Sequence, residues 1–226
     1  MSTKLKIAAA VAAAVLLSAC SSPKHEPMPL VNFTPSMEVT EVWSKGLSSA
    51  EGFLVPAVYD DMVFAAGGKT LTRLNARTGE TEWSVSFDSP ITGGVGSDGY
   101  VTAVGLWDGN LEVVDAEGKV SWEKKLTTEL ASPPVVSHGL VIARTMDTRV
   151  SAFEASSGEL QWTYQKSQPA LTVRLPTRML AHDNFLLVGQ PNGHIVILDI
   201  ASGKPVFEFQ VAQAKGVTEV ERLVDV

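Results

Sequence analysis

The chain has 226 residues, 45% hydrophobic and 19% charged, an ordinary globular composition with length enough to bury a core, which excludes bulk disorder. Its net charge of −7 argues against a nucleic-acid or anionic-lipid surface. A single cysteine, Cys20, rules out an internal disulfide.

The first residues have the parts of a secretory leader over 1–19: Lys4 and Lys6, the apolar run Ile7 to Leu17, then small residues. The run is too short to cross the bilayer, since a helix needs roughly 20 residues to span about 30 Å of hydrocarbon. Without the leader's two lysines the chain keeps 16 basic residues (18 − 2) against 25 acidic ones, a charge of −9. Leu17-Ser18-Ala19-Cys20 resembles the lipobox of bacterial lipoproteins. That resemblance makes Cys20 the first mature residue, with diacylglycerol on its thiol and a further acyl chain on its amine. Several chains anchor stably where one is marginal. Ser21, in place of Asp, resembles the outer-membrane rather than the inner-membrane sorting class. Residues 20–37 are proline-rich and without period, and read as a tether. His25, alone within it, reads as solvated.

From residue 38 to 226 the chain repeats one pattern. The clearest copy is Thr148 to Tyr164, TRVSAFEASSGELQWTY: an alternating strand, a tight turn closed by Gly158, and a second strand carrying Trp162. The same order returns at Leu71 to Trp83, Leu111 to Trp122 and Ile195 to Phe207. Gly79, Gly118, Gly158 and Gly203 stand 39, 40 and 45 residues apart, the length of a four-stranded propeller blade. The expected fold is therefore all-β, a propeller of four-stranded antiparallel blades. Each turn needs an Asn, Asp or Glu to cap the bend and a Gly where φ is positive. The aromatic four residues after each Gly is expected to pack between neighbouring blades.

Glu38 to Lys45 matches only the final strand of a blade, with Trp43 forty residues before Trp83. It is expected to be an outer strand whose blade is completed elsewhere, so that no sheet edge stays open. The first full blade runs from about Phe53 to Ser86, the second from Ile91 to Lys124, the third from Ser132 to Tyr164. The fourth includes Met179 to Gly189 and the run Ile195 to Leu198, apolar on both faces as a strand between two blades requires. Trp107-Asp108 resembles the WD dipeptide of another propeller family but falls in a bend between middle strands, not at the end of a signature. Four blades plus the Trp43 strand call for three further strands, so the chain reads as the N-terminal part of a larger ring. The alternative is a four-bladed ring with that strand added to an edge.

The longer spacing before Gly203 arises between Gln165 and Arg178, QKSQPALTVRLPTR. Leu171, Val173 and Arg174 on an extended connector have the composition of a binding epitope. Alternation equally suits Leu171 and Val173 as a first strand.

The repeat Asp/Asn-Ala-x-x-Gly-x-x-x-Trp, seen at Asn75-Ala76 with Gly79 and Trp83, looks like the quinoprotein-type propeller repeat. Joined to the lipobox and to Gln168-Pro169-Ala170-Leu171-Thr172-Val173-Arg174, the whole chain resembles the BamB family of outer-membrane assembly lipoproteins. The resemblance implies an eight-bladed ring without catalysis or cofactor, anchored in the outer membrane and facing the periplasm. It also implies docking on the POTRA domains of a BamA-type barrel subunit, with other assembly-machine lipoproteins and nascent outer-membrane proteins as further candidate partners. The family's docking residues fall on Leu171, Val173 and Arg174, and, after the pair Arg222-Leu223, on Asp225. The rival reading is a quinone-dependent dehydrogenase, which needs a Ca²⁺ cage and a catalytic Asp. No acidic cluster appears outside turn positions, and His25, His138, His182 and His194 are scattered without metal spacing. A third reading is a propeller that binds envelope glycan.

Overall fold

The computed structural model describes residues 36–49, 54–166, 178–190 and 193–211. The chain divides into two units, Met1–Thr40 and Glu41–Val226. Of the first, only 36–40 are described, and they hold no strand. The second holds four antiparallel sheets of four strands each, every sheet in simple sequence order. Blade 1 is β1 (Ala57–Tyr59), β2 (Met62–Gly67), β3 (Thr70–Asn75) and β4 (Thr81–Ser86). Blade 2 is β5 (Ile91–Ser97), β6 (Thr102–Leu106), β7 (Asn110–Val114) and β8 (Val120–Lys125). Blade 3 is β9 (Val135–Ser137), β10 (Leu140–Arg144), β11 (Val150–Glu154) and β12 (Leu160–Tyr164). Blade 4 is β13 (Leu180–His182), β14 (Phe185–Gly189), β15 (His194–Asp199) and β16 (Pro205–Gln210). These are the β-propeller blades that the repeat predicts.

Each letter of the repeat has a structural task. The acid or amide caps the turn between the third and fourth strands: Asn75 Oδ1 accepts from the backbone N–H of Arg77 and Thr78, and Asp115 Oδ1 from Glu117 and Lys119. Glu154, one methylene longer, meets only the hydroxyl of Ser156, at 3.4 Å. The glycine that follows has φ of +72° at Gly79, +84° at Gly118, +71° at Gly158 and +66° at Gly203, a region where a Cβ would be strained. It also leaves room for a ring, since a Cβ on Gly203 would stand 2.4 Å from Trp162.

That ring comes from the preceding blade. Trp162 Nε1 donates to the carbonyl of Ile200 at 2.8 Å, Trp122 to Ala155 at 2.8 Å and Trp83 to Ala116 at 3.0 Å. Each accepting carbonyl belongs to the residue right after the capping acid or amide. The repeat is thus a latch whose glycine and carbonyl receive the tryptophan of the blade before, and whose own aromatic reaches toward the blade after.

Trp43 makes the same latch, donating to Ala76 O at 2.9 Å with its ring against Gly79. The segment around it is not the strand expected over Glu38 to Lys45, because among the described residues no neighbouring strand lies beside it to complete a ladder. The tryptophan docks without its sheet.

Strand alternation then builds one apolar cluster per seam. Phe64, Leu71, Val104 and Val114 fill the seam of blades 1 and 2; Leu111, Val113, Val141 and Phe153 fill the next; Ile142, Val150, Leu186 and Val196 fill the third. In the run Ile195 to Leu198 only Val196 and Leu198 meet blade 3. Ile195 and Ile197 line the opposite face of blade 4, beside the exposed Phe207, and no described residue forms a further blade there.

Candidate functional site

Antiparallel order puts the turns between second and third strands at the same end of the blades as the connectors from one blade to the next. Leu126 N–H reaches Gly109 O, and Val211 N–H reaches Gly193 O, across that end. The connector between blades 3 and 4 departs there after Lys166 and returns at Arg178. Its departing stem is fixed: Lys166 Nζ lies 2.5 Å from Glu208 Oε1 on β16, and His194 Nδ1 lies 3.1 Å from the same oxygen. The hydrogen bond from Lys166 holds the Glu208 carboxyl below the usual carboxylate range. Cys20, Leu171, Val173, Arg174 and Asp225, the residues singled out in the sequence, lie outside the described residues.

The same end of the blades carries Trp107, in the turn between β6 and β7, with 58% of its surface exposed. A cavity of about 330 Å³ lies against it, lined also by Lys125, Leu126, Glu129 and Met146. The sequence places this residue correctly in a bend but assigns it no role. The available signal was a tryptophan outside the fourth-residue position, hence free of latch duty.

The seams differ in electrostatics. On β7 and β8 the paired residues Glu112 and Glu123 turn toward blade 1, as does Val104 beside Glu112. Burial first, then the charge of Glu123 and a hydrogen bond with it, then Asp108 and Asp88, push the Glu112 carboxyl up to about 7. A carboxyl raised in the folded state binds its proton more tightly than in the unfolded chain. The stability this brings is present at acid pH, below the ordinary value near 4.5, and is lost as pH rises through about 7. Glu112→Gln should therefore melt higher than the parent at pH 8 and lose that advantage by pH 5, a difference on the order of 1–3 kcal/mol. Thermal unfolding at the two pH values checks it, and an advantage independent of pH would remove the charge from the explanation.

In the next seam Asp147 is held by the hydroxyls of Thr145 and Thr127, the latter at 3.0 Å. Burial alone would raise its carboxyl, but these hydroxyls, with the backbone and charge of Arg149, hold it below the usual range. Among the described residues no group of three or more His, Cys, Asp or Glu is placed to hold a metal ion.

The family model described as "Outer membrane protein assembly factor BamB" matches residues 67–226. The chain belongs to the BamB family. The outer membrane protein assembly factor BamB of Burkholderia pseudomallei is 38% identical over 224 residues, which cover 96% of this chain and 59% of that protein. The crystal structure of BamB from Moraxella catarrhalis superposes with a TM-score of 0.68 at 29% identity, covering 76% of this chain and 53% of that one. The chain thus spans little more than half the length of these BamB relatives. The quinohemoprotein alcohol dehydrogenase ADHIIG of Pseudomonas putida, at 18% identity and a TM-score of 0.57, shares the blade architecture alone.

Proposed function

We propose that the chain acts, without catalysis, as a docking platform in the assembly of outer-membrane proteins. Residues 1–19 are the leader, Cys20 carries the lipid that holds the protein at the outer membrane on its periplasmic side, and 20–37 are the tether. The connector between blades 3 and 4 supplies the contact, with Leu171 and Val173 burying apolar area and Arg174 meeting carboxylates on POTRA domains of a BamA-type subunit. Asp225 supplies a second, acidic contact. Other lipoproteins of the machine and nascent outer-membrane proteins are further partners on this reading.

The observation that carries it is the match to the BamB family over 67–226, in a stretch whose blades are latched to one another and whose connector stem is pinned by Lys166 and Glu208. A rigid array that offers one long connector suits positioning better than turnover, because little side-chain freedom is lost on docking.

Photo-crosslinking in intact cells from a reactive residue at position 171, followed by mass spectrometry, tests this reading. Capture of POTRA segments is the expected result; capture of nothing from a protein still anchored at the outer membrane would move the site off the connector. Arg174→Glu should weaken association by about 2–5 kcal/mol if the contact is fully desolvated, read as a slower-binding and faster-leaving partner in surface plasmon resonance.

A further inference from the structure

The three seams are built from one repeat, so each is a control for the others. On the face that each blade turns to the one before it, third and fourth strands present a matched pair: Glu112 and Glu123 in blade 2, Ser151 and Thr163 in blade 3, Val196 and Glu208 in blade 4. Blades 2 and 4 thus place an acid on the fourth strand, and in both seams it is satisfied internally. Glu123 shares its site with the raised carboxyl of Glu112, and Glu208 holds Lys166 and His194.

The seam of blades 2 and 3 breaks the pattern. Its fourth-strand residue is Thr163, whose hydroxyl lies 3.3 Å from that of Ser151. Opposite, two residues after Trp122, stands Lys124, whose cross-strand partner Leu111 is wholly buried in this seam. Among the described residues Lys124 makes no ion pair. Lys125 is occupied by the carbonyl of Asp108, and the seam's acid, Asp147, is held by two threonine hydroxyls, with Arg149 Nε 3.8 Å away.

Here the blades part into a groove of about 340 Å³, on the order of ten water volumes. Lys124, Lys125 and Arg149 line it against no acid, and its apolar wall includes Leu126, Phe153 and Leu160. Leu160 is 54% exposed, a wide apolar surface beside a cation. β12, which forms one bank, is an outermost strand with a free edge among the described residues. Lys124, facing the hydroxyls of Ser151 and Thr163 while Lys125 and Arg149 are already engaged, marks where an acid from outside would be met.

We infer that the groove between blades 2 and 3 binds an extended acidic segment of a partner protein, its carboxylate on Lys124 and a neighbouring apolar side chain against Leu160. The segment lies between the two banks, and alternation turns its carboxylates toward Lys124 on blade 2 and its apolar side chains toward Leu160 on blade 3. This goes beyond the connector reading and does not rest on it, because neither residue belongs to the connector.

The test is fluorescence anisotropy of fluorescein-labelled ten-residue peptides, titrated with the 226-residue chain at low salt. Three are used: alternating Asp and Leu, alternating Asn and Leu, and alternating Asp and Ser. The Asp/Leu peptide should bind at least tenfold more tightly than either other. Lys124→Glu should weaken it at least tenfold. Thr163→Glu should do the same while leaving thermal unfolding unchanged or higher, since it gives blade 3 the acid that its neighbours carry. Equal binding of the Asn/Leu peptide, or an unchanged Kd in Thr163→Glu, would overturn the proposal. Equal binding of the Asp/Ser peptide would reduce the groove to a carboxylate-ion site. Lys124-dependent binding of phosphatidylglycerol vesicles without binding of the Asp/Leu peptide would replace the peptide with lipid.

Discussion

Trp162→Ala should lower stability by about 3–5 kcal/mol, which for a chain of this size shifts the thermal midpoint by on the order of 10 °C. The indole is 9% exposed, sits in the apolar cluster of the seam of blades 3 and 4, and donates its N–H to Ile200. Alanine removes the ring, leaves a hole above Gly203 and strips a buried carbonyl of its partner. Trp162→Phe keeps most of the buried area and loses the hydrogen bond, so it should cost about 1–3 kcal/mol. Phe207 is the matched control: it holds the same place in the repeat but is 60% exposed. Phe207→Ala should therefore cost less than about 1 kcal/mol. Urea unfolding of the three variants settles the matter, and equal losses at 162 and 207 would mean that the latch contributes nothing beyond the single blade.

The latch also explains why so much of the fold was legible. A turn that must be capped, a backbone that must turn left-handed and a ring that must find an open carbonyl each restrict one residue type. Written about every forty residues, those restrictions fix strand order and blade boundaries together. Even the ladder irregularity recurs, with a register shift just before each turn at Arg73/Leu74, Val113/Val114, Ala152/Phe153 and Ile197/Leu198.

What the repeat does not restrict was not legible. The segment around Trp43 satisfies the latch, so it reads as a strand, but a strand also needs a neighbour, which its own sequence cannot supply. Thr163 falls where the other copies carry Ser84, Glu123 and Glu208, a slot open to any polar residue, and Lys124 falls where they carry Val85, Tyr164 and Phe209, a departure that by itself names no ligand; the groove appears only when seams are compared in three dimensions. Trp107 looked like a misplaced motif because periodicity explains tryptophans that recur and is silent on one that does not.

Gly96→Ala is expected to be among the most damaging small substitutions in the chain, at about 3 kcal/mol or more. Gly96 is on β5, the first strand of blade 2, and a Cβ there would stand 1.9 Å from the carbonyl oxygen of Pro134, on the approach to β9 of blade 3. The clash is with backbone, so no rotamer change relieves it and the inner edges of the two blades must separate. Gly105 differs in kind, since its Cβ would meet the side chain of Leu130, at 2.4 Å from Cδ1. Gly105→Ala should therefore be partly rescued by Leu130→Val, whereas Pro134→Ala should not rescue Gly96→Ala. Gly139→Ala controls for conformation: φ is +72° with nothing within 4 Å of the added carbon, so only the left-handed backbone is penalised, by about 1–2 kcal/mol. Double-mutant cycles in urea measure both pairs. Rescue of Gly96→Ala by Pro134→Ala would show that the ring, not the carbonyl, sets the distance between the blades. A loss at Gly96 no larger than at Gly139 would show that the blades separate at little cost. The packed inner edge would then not be what holds the outer groove, and the latches around Trp122 and Trp162 would be left to set the spacing of the seams.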